Sequence, residues 1–181
     1  NGPEGVRKVV NHGHKVFLDL KYHDIPNTVA GAIRATSSLK CSLITVHASG
    51  GEAMLQAAAS AAAECGNKRP KVVAVTVLTS LSDSDLAAVG QQHPLAGQVR
   101  RLAQLTNFSG LDGVVCSPQE VEYLRNEFGK NFLLIVPGVR PDWATVDDQK
   151  RIMTPGQAVK AGADHLVVGR PITGAVDPVG A

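Results

Sequence analysis

Residues 17–28 read FLDLKYHDIPNT, an apolar run that ends in Asp19, Lys21 and Asp24. Side chains two residues apart lie on the same face of a β-strand, so Asp19 and Lys21 are expected to point to one side. In α/β proteins the reactive groups lie at the carboxyl ends of strands. The segment therefore predicts a strand whose end carries a functional charged group. A structural salt bridge at a strand end remains the plain alternative.

Five further apolar runs resemble this strand and are separated from one another by helical stretches. Near-continuous apolar character is typical of parallel strands that are buried on both faces. The predicted strands are Val16–Leu20, Leu43–His47, Val72–Leu78, Gly113–Cys116, Phe132–Val136 and His165–Val168. The predicted helices are an opening helix and Thr28–Leu39, Gly51–Cys65, Pro94–Thr106, Ser117–Phe128 and Pro155–Ala161.

Strict alternation of six strands and helices predicts an α/β fold with a parallel sheet. Two architectures fit this pattern, an open doubly wound sheet and a (β/α)8 TIM barrel. A barrel typically needs about 250 residues, and both ends of this chain look cut. We therefore expect residues 1–181 to form a single partial TIM-barrel domain with strands 3 to 8 only, lacking the first two β/α units and the C-terminal end.

The local chemistry of the helix ends supports these boundaries. Serine or threonine followed by proline or by an acidic residue is typical of helix starts, and glycine is typical of helix ends. Starts are predicted at Ser82–Asp85, Ser117–Glu120 and Thr154-Pro155, and stops at Gly66, Gly129 and Gly162.

Composition excludes several classes of function. A net charge of +2 with scattered basic residues makes no case for nucleic acid or an anionic membrane. No apolar run approaches the roughly 20 residues of a membrane span, and no n-region/h-region pattern in residues 1–181 marks a secretion signal. Three widely spaced cysteines favour a reduced, cytoplasmic protein, and no CxxC or HExxH spacing suggests a metal site.

The charged group at residues 19–24 suits proton transfer. Lys21 lies between two carboxylates, and opposite charges at short distance stabilise one another. A lysine held in this way is a positioned proton donor. Asp19 and Asp24 are both negatively charged, so a substrate carboxylate beside them would be repelled.

A second group of residues suits phosphate binding. The segment HLVVGRPIT ends a strand with Gly169 and Arg170 and then enters a helix. In barrels the loops after the last two strands commonly bind phosphate through backbone amides and a helix N-terminus. Arg140 and Gln149, in the loop after the preceding strand, are expected to reach the same anion. A Gly-Arg turn with a surface arginine is the alternative.

Other polar residues carry weaker signals. Thr79 follows a strand and suits a hydrogen bond to a polar ring or amide, although it would equally cap a helix. His23 suits either acid–base chemistry or support of the charged group, and His47 is interpreted as structural. Residues 138–150 are the best candidate for a mobile loop, where Trp143 would either cover the mouth or stand exposed.

Together these motifs resemble the orotidine 5'-monophosphate decarboxylases of the bacterial type. The resemblance rests on FLDLKYHDIPNTV, TVLTSL, PGVR…DDQKRIMTP and VVGRPIT…DP, which occur in the order found in that family. The DxKxxD core is shared with a wider group of phosphosugar-binding barrels. The IPNT continuation and the DQKRIMTP segment are much more specific.

The resemblance implies an activity and a role for each site residue. Cofactor-free decarboxylation of orotidine 5'-monophosphate would yield UMP, with no metal, in a homodimer with shared active sites. Lys21 would protonate C6 of the pyrimidine, and Asp19 would lie beside the departing carboxylate. Asp24 would be contributed to the partner subunit's site, with Ile25 and Thr28 lining the shared edge. Thr79 would contact the pyrimidine. The phosphate would be held by Arg140, Gln149, Gly169 and Arg170.

The sequence also departs from the family, and two other readings stay open. The family's catalytic set includes an aspartate ending the first barrel strand and a lysine ending the second, and neither strand is recognised here. On that basis we expect a fragment that is inactive and poorly stable alone. The alternatives are a magnesium-dependent keto-sugar-phosphate decarboxylase or aldolase of the wider group, and a non-catalytic phosphate-ligand-binding protein on a degenerate barrel.

Overall fold

Strands and helices alternate along the chain, as the apolar runs predict. The computed structural model describes residues 2–141 and 153–181. The strands are β1 Phe17–Tyr22, β2 Leu43–His47, β3 Lys71–Val75, β4 Gly113–Val115, β5 Leu133–Val136 and β6 His165–Leu166. The helices are α1 Gly2–Asn11, α2 Pro26–Ser37, α3 Glu52–Ala63, α4 Asp83–Ala88, α5 Leu95–Phe108, α6 Val121–Phe128, α7 Pro155–Ala161 and α8 Arg170–Thr173, with 3-10 turns at Ala48–Gly50, Gly66–Lys68 and Pro118–Glu120.

The order of the strands distinguishes between the two architectures. They follow one another in the sheet as β1-β2-β3-β4-β5-β6, and the pairs β1–β2, β2–β3 and β5–β6 are parallel. A doubly wound sheet reverses its strand order at a switch point, whereas successive β/α units of a barrel do not. The described strands show no reversal, so the α/β class and the barrel-type order are confirmed.

The chain divides into two compact units, each with its own apolar core. The first unit comprises Asn1–Val75 and Leu102–Gly113, and the second comprises Thr76–Arg101 and Val114–Ala181. The largest fully buried side chains of the first unit are Ile33, Ile44, Met54, Leu55, Val29, Val46, Val72 and Val73. Those of the second unit are Leu124, Leu134, Ile135 and Val99.

Helix starts follow the predicted capping chemistry. Reciprocal capping boxes join Ser82 to Asp85 before α4, Ser117 to Glu120 and Thr154 to Gln157 before α7. Each box satisfies backbone N–H groups that have no partner inside the helix. The first turn after Ser117 is a 3-10 helix, so the predicted helix at Ser117–Phe128 becomes α-helical only at Val121.

The predicted helix stops are confirmed at two glycines and displaced at the third. Gly129 and Gly162 follow the last residues of α6 and α7 with φ of 71° and 112°. Gly66 lies three residues beyond the end of α3. None of the described helices is long and apolar enough to cross a membrane.

Three strand ends differ from the prediction by two or more residues. β1 continues to Tyr22 instead of stopping at Leu20. β3 stops at Val75 instead of Leu78, although Thr76 still donates from its N–H and its hydroxyl to the Val115 carbonyl of β4. β6 stops at Leu166 instead of Val168, although the Val167 N–H still donates to the Val136 carbonyl of β5.

Candidate active site

The charged group of β1 forms an ion pair at the strand end. Lys21 Nζ lies 2.5 Å from Asp19 Oδ2, so the two side chains meet on one side of the strand as their spacing predicts. Their side chains are 37% and 43% exposed, which leaves the pair open to a ligand from solvent.

A break in the strand pairing underlies this geometry. Leu18 pairs with Ile44 and Tyr22 pairs with Val46, so Asp19, Leu20 and Lys21 all lie opposite the single residue Thr45. Extra residues on one strand bulge out of the ladder and redirect their side chains, and such bulges are common beside active sites. The plain period-2 rule therefore does not by itself account for the position of Lys21.

Lys21 also has an uncommon backbone conformation. Its φ is 50°, in the left-handed region that residues with a Cβ seldom occupy. Such a conformation costs on the order of 1–3 kcal/mol and persists only where the surroundings hold it. The fully buried hydroxyl of Thr45 does so, since it accepts a hydrogen bond from Lys21 N at 2.9 Å and donates one to Asp19 Oδ1 at 2.8 Å.

Asp24 and Ile25 lie on the exposed approach to helix α2, and Thr28 is exposed in the first turn of that helix. Asp24 Oδ1 accepts a hydrogen bond from Ile25 N at 2.6 Å, which fixes the loop ahead of the helix. Ile25 is extended, with ψ of 153°, because the following Pro26 starts the helix and disfavours the helical region before it. Ile25 is 67% exposed, which is unusual for a large apolar side chain.

Two histidines adjoin the charged group. The rings of His23 and His47 lie 5.3 Å apart between centroids and are tilted by 37°. Burial lowers the pKa of His47 below its ordinary value of 6.5, and the charges of His23 and Lys21 lower it further. Asp19 acts in the opposite direction, which shows that His47 senses both members of the ion pair.

The predicted phosphate-binding residues that the structure describes lie in the second unit. Gly169 and Arg170 are exposed, and Gly169 precedes the short helix α8. An added Cβ at Gly169 would meet nothing within 4 Å, so a ligand has room to approach this backbone. Arg140 is 7% exposed, its N–H donates to the Met153 carbonyl, and its guanidinium donates to the Val139 carbonyl.

The other predicted site residues have mixed outcomes. Thr79 is half-buried in a turn four residues beyond the end of β3, so its predicted place directly at the strand end is wrong. Gln149, Trp143 and most of the predicted mobile loop lie outside the described residues. Within residues 2–141 and 153–181, no group of three or more histidine, cysteine or acidic side chains is arranged to hold a metal ion.

Comparison with known proteins decides the family. The family model described as "Orotidine 5'-phosphate decarboxylase / HUMPS family" matches residues 1–181. The chain belongs to this family. A protein of Rhodospirillum rubrum named orotidine 5'-phosphate decarboxylase is 55% identical over 98% of this chain and 74% of its own length. A protein of the same name from Trichlorobacter lovleyi is 54% identical over 98% of this chain and 75% of its own length.

A solved structure of the decarboxylase family supports the same assignment. The crystal structure of orotidine 5'-phosphate decarboxylase from Lactobacillus acidophilus matches with a TM-score of 0.86 and 42% identity. The match covers 98% of this chain and 76% of that one. The similarity to named decarboxylases gives no support to either alternative function considered from the sequence.

Sequence reasoning missed Thr45 in this member of the decarboxylase family. In LITVH, residues 43–47, a threonine within a buried strand reads as an ordinary β-former. Its hydroxyl is notable only because β1 bulges opposite it, and the length of that bulge is not written in either strand. The polar residue in an otherwise apolar run was the available signal.

Proposed function

We propose that this chain is an orotidine 5'-phosphate decarboxylase that converts orotidine 5'-monophosphate to UMP and CO2. Membership of the family and the names of its relatives support the activity. The single observation that supports the chemistry is the ion pair of Lys21 and Asp19, fixed by Thr45 at a strand end.

Lys21 is the proposed general acid. The bond between C6 and the carboxylate breaks, its electron pair stays on C6, and CO2 leaves. A proton then passes from Lys21 Nζ to C6, and water returns a proton to the lysine. The fixed ammonium group favours the negative charge that develops at C6, and Asp19 lies beside the departing carboxylate. The reaction so described uses no metal ion or organic cofactor.

The second part of the proposal is that the phosphate group is bound far from the bond that breaks. Arg140, Gln149, Gly169 and Arg170 would hold the phosphate, and Thr79 would contact the pyrimidine ring. Binding energy from a remote group can be applied to orienting the ring at the reacting centre. The open backbone at Gly169 and the exposed Arg170 support their share of this role.

A homodimer with shared active sites is the third part. Asp24 would enter the site of the partner subunit, and Ile25 and Thr28 would line the shared edge. The exposure of Ile25 beside the charged loop supports this, because burying a large apolar side chain favours association.

The proposed activity also indicates a cell compartment and a metabolic role. We assign the protein to the cytoplasm and to the synthesis of UMP. All three cysteines are free, as is usual in a reducing compartment.

Replacement of the general acid tests the proposal. Lys21→Ala should lower kcat about 10²- to 10⁴-fold, the range expected for loss of a positioned acid. Its affinity for UMP should change little, since the phosphate is held elsewhere. UMP formation from orotidine 5'-monophosphate is measured by chromatography, and UMP affinity by calorimetry.

Lys8→Ala is the matched control, because Lys8 is an exposed lysine on α1. It should keep the wild-type rate. The proposal fails if the full-length protein that contains these residues forms no UMP, or if Lys21→Ala is as active as Lys8→Ala in that protein.

A further inference from the structure

The bulge in β1 leaves one residue of β2 responsible for its geometry. Asp19, Leu20 and Lys21 lie between two regular pairs of the ladder, and Thr45 is the residue opposite them. The Lys21 N–H does not donate to a backbone carbonyl of β2. It donates to the Thr45 hydroxyl, at 2.9 Å.

The Thr45 hydroxyl makes two different hydrogen bonds at once. A hydroxyl has one proton to donate and two lone pairs that accept. Its proton goes to Asp19 Oδ1, and a lone pair receives the Lys21 N–H. Asp19 is thereby held by one oxygen while its other oxygen, Oδ2, meets Lys21 Nζ.

Thr45 is itself rigidly held. It is fully buried, and β2 pairs with β3 in unbroken register from Leu43 to His47, with Thr45 opposite Val73. Its β-branched side chain has few rotamers. A hydroxyl on such a residue is a fixed reference point for the more exposed ion pair.

We propose that Thr45 is a positioning residue that holds Asp19 and Lys21 in their reactive arrangement. This inference rests on the proposed function, because it assigns Thr45 to the decarboxylation that Lys21 carries out. Without the hydroxyl, the Asp19 carboxylate is free to rotate. Lys21 also loses the acceptor that holds its left-handed backbone, so its ammonium group moves away from the reacting carbon.

Thr45→Val tests the proposal because valine keeps the shape and removes the hydroxyl. We expect kcat to fall about 10- to 100-fold, since small displacements of catalytic groups have effects of this size. KM should stay within about threefold, because the phosphate is bound by other residues. Thr45→Ser retains the hydroxyl and should recover most of the lost rate.

Thr106→Val is the matched control. Thr106 is equally buried, and its hydroxyl donates only to the Leu102 carbonyl within α5. Its removal should alter stability but not kcat. Equal losses in Thr106→Val and Thr45→Val, or no recovery in Thr45→Ser, would overturn the proposal.

A readout that needs no turnover separates this inference from the proposed function. In amide hydrogen exchange followed by NMR, the Lys21 N–H should be protected in wild type and Thr45→Ser but exposed in Thr45→Val. If Thr45→Val does not fold, Thr45→Cys makes the same comparison with a weaker donor and acceptor. A full-length wild type without decarboxylase activity would refute the proposed function, and the exchange of the Lys21 N–H would then decide the role of Thr45 alone.

Discussion

Lys21 shows how the conformation of one residue can determine the geometry of a site. Its left-handed φ of 50° costs free energy that the extended backbone of a regular strand does not cost. The hydrogen bond to Thr45 offsets that cost and leaves the ammonium group against Asp19. Strain at this position is therefore part of how the proposed proton donor is placed.

His47 is a second single residue with a wider effect, because its protonation makes folding stability depend on pH. Its pKa is lowered chiefly by burial, so the folded protein keeps the ring neutral at pH values where the unfolded chain takes up a proton. Since the unfolded state then binds more protons, the stabilising contribution is present above about pH 6.5 and decreases as the pH falls below it.

His47→Gln should flatten this part of the pH dependence of stability. The free energy of unfolding, from urea titrations between about pH 5 and 8, should decrease less steeply on acidification in the variant than in wild type. His23, Lys21 and Asp19 are unchanged in both proteins and provide the common background. Identical slopes would show that His47 does not contribute.

At the scale of elements, two aspartates each lie just before one strand and form hydrogen bonds to the strand that precedes it in the chain. Asp112 precedes β4, and its carboxylate accepts a hydrogen bond from Val72 N at 2.8 Å and two more from the Arg69 guanidinium at 2.6 and 2.9 Å. The N–H of Asp112 donates to the Val72 carbonyl. The side chain thus completes the hydrogen bonding at the start of β3.

The second unit repeats this arrangement. Asp164 precedes β6, and its carboxylate accepts from Leu134 N at 2.8 Å and from Arg125 Nη2 at 2.6 Å. The N–H of Asp164 donates to the Leu134 carbonyl. The motif Gly-X-Asp occurs before both strands, at residues 110–112 and 162–164. Both aspartates lie at the amino ends of strands, where barrels place stability rather than catalysis.

Asp112→Asn and Asp164→Asn should each destabilise the protein without altering the active site. Asparagine keeps the size but loses the charge, so each variant should lose about 1–3 kcal/mol of unfolding free energy. Urea denaturation measures the loss, and kcat under native conditions should be unchanged.

Glu64→Gln is the comparison that tests the cause. Arg34 and Glu64 form the same bidentate geometry, at 2.6 and 2.8 Å, but both side chains are about half exposed. An exposed pair contributes little to stability, so this variant should be much less affected. A loss in Glu64→Gln as large as in the aspartate variants would remove the proposed role of strand capping.

At the scale of the whole molecule, each of the two compact units contains one group of proposed functional residues. The proposed proton donor Lys21 lies in the first unit, and the described residues that are proposed to bind phosphate lie in the second. The proposed homodimer would involve a second chain, because Asp24 is proposed to serve the partner's site.

Mixing two inactive variants tests this exchange between subunits. In a dimer of Lys21→Ala with Asp24→Asn, one of the two sites would combine an intact Lys21 with an intact Asp24. Random exchange in an equal mixture should therefore restore about a quarter of the wild-type activity, since half of the dimers are mixed.

A mixture of Lys21→Ala with Asp19→Asn is the control. Asp19 and Lys21 are neighbours in one chain, so every site of a mixed dimer lacks one of them. This mixture should stay inactive. Recovery in both mixtures, or in neither, would contradict the proposed role of Asp24.

The fold and the position of the charged group were largely predictable from sequence. β2 and α7 begin and end where predicted, because their apolar runs and capping residues act locally. Asp19 and Lys21 were located by their place at the end of an apolar run. The ends of β1, β3 and β6 were not predictable, since they depend on pairing with residues distant in sequence.

By itself the sequence determined the alternation of strands and helices, the residue types of the site and the family. Hydrophobic periodicity, helix capping and motif spacing are local properties, and they can be read along the chain. Only the tertiary structure decided that three residues of β1 face Thr45, that Lys21 turns into the left-handed region, and that His47 lies within reach of their charges. These features depend on the register between strands, which forms only when residues far apart in sequence pack together.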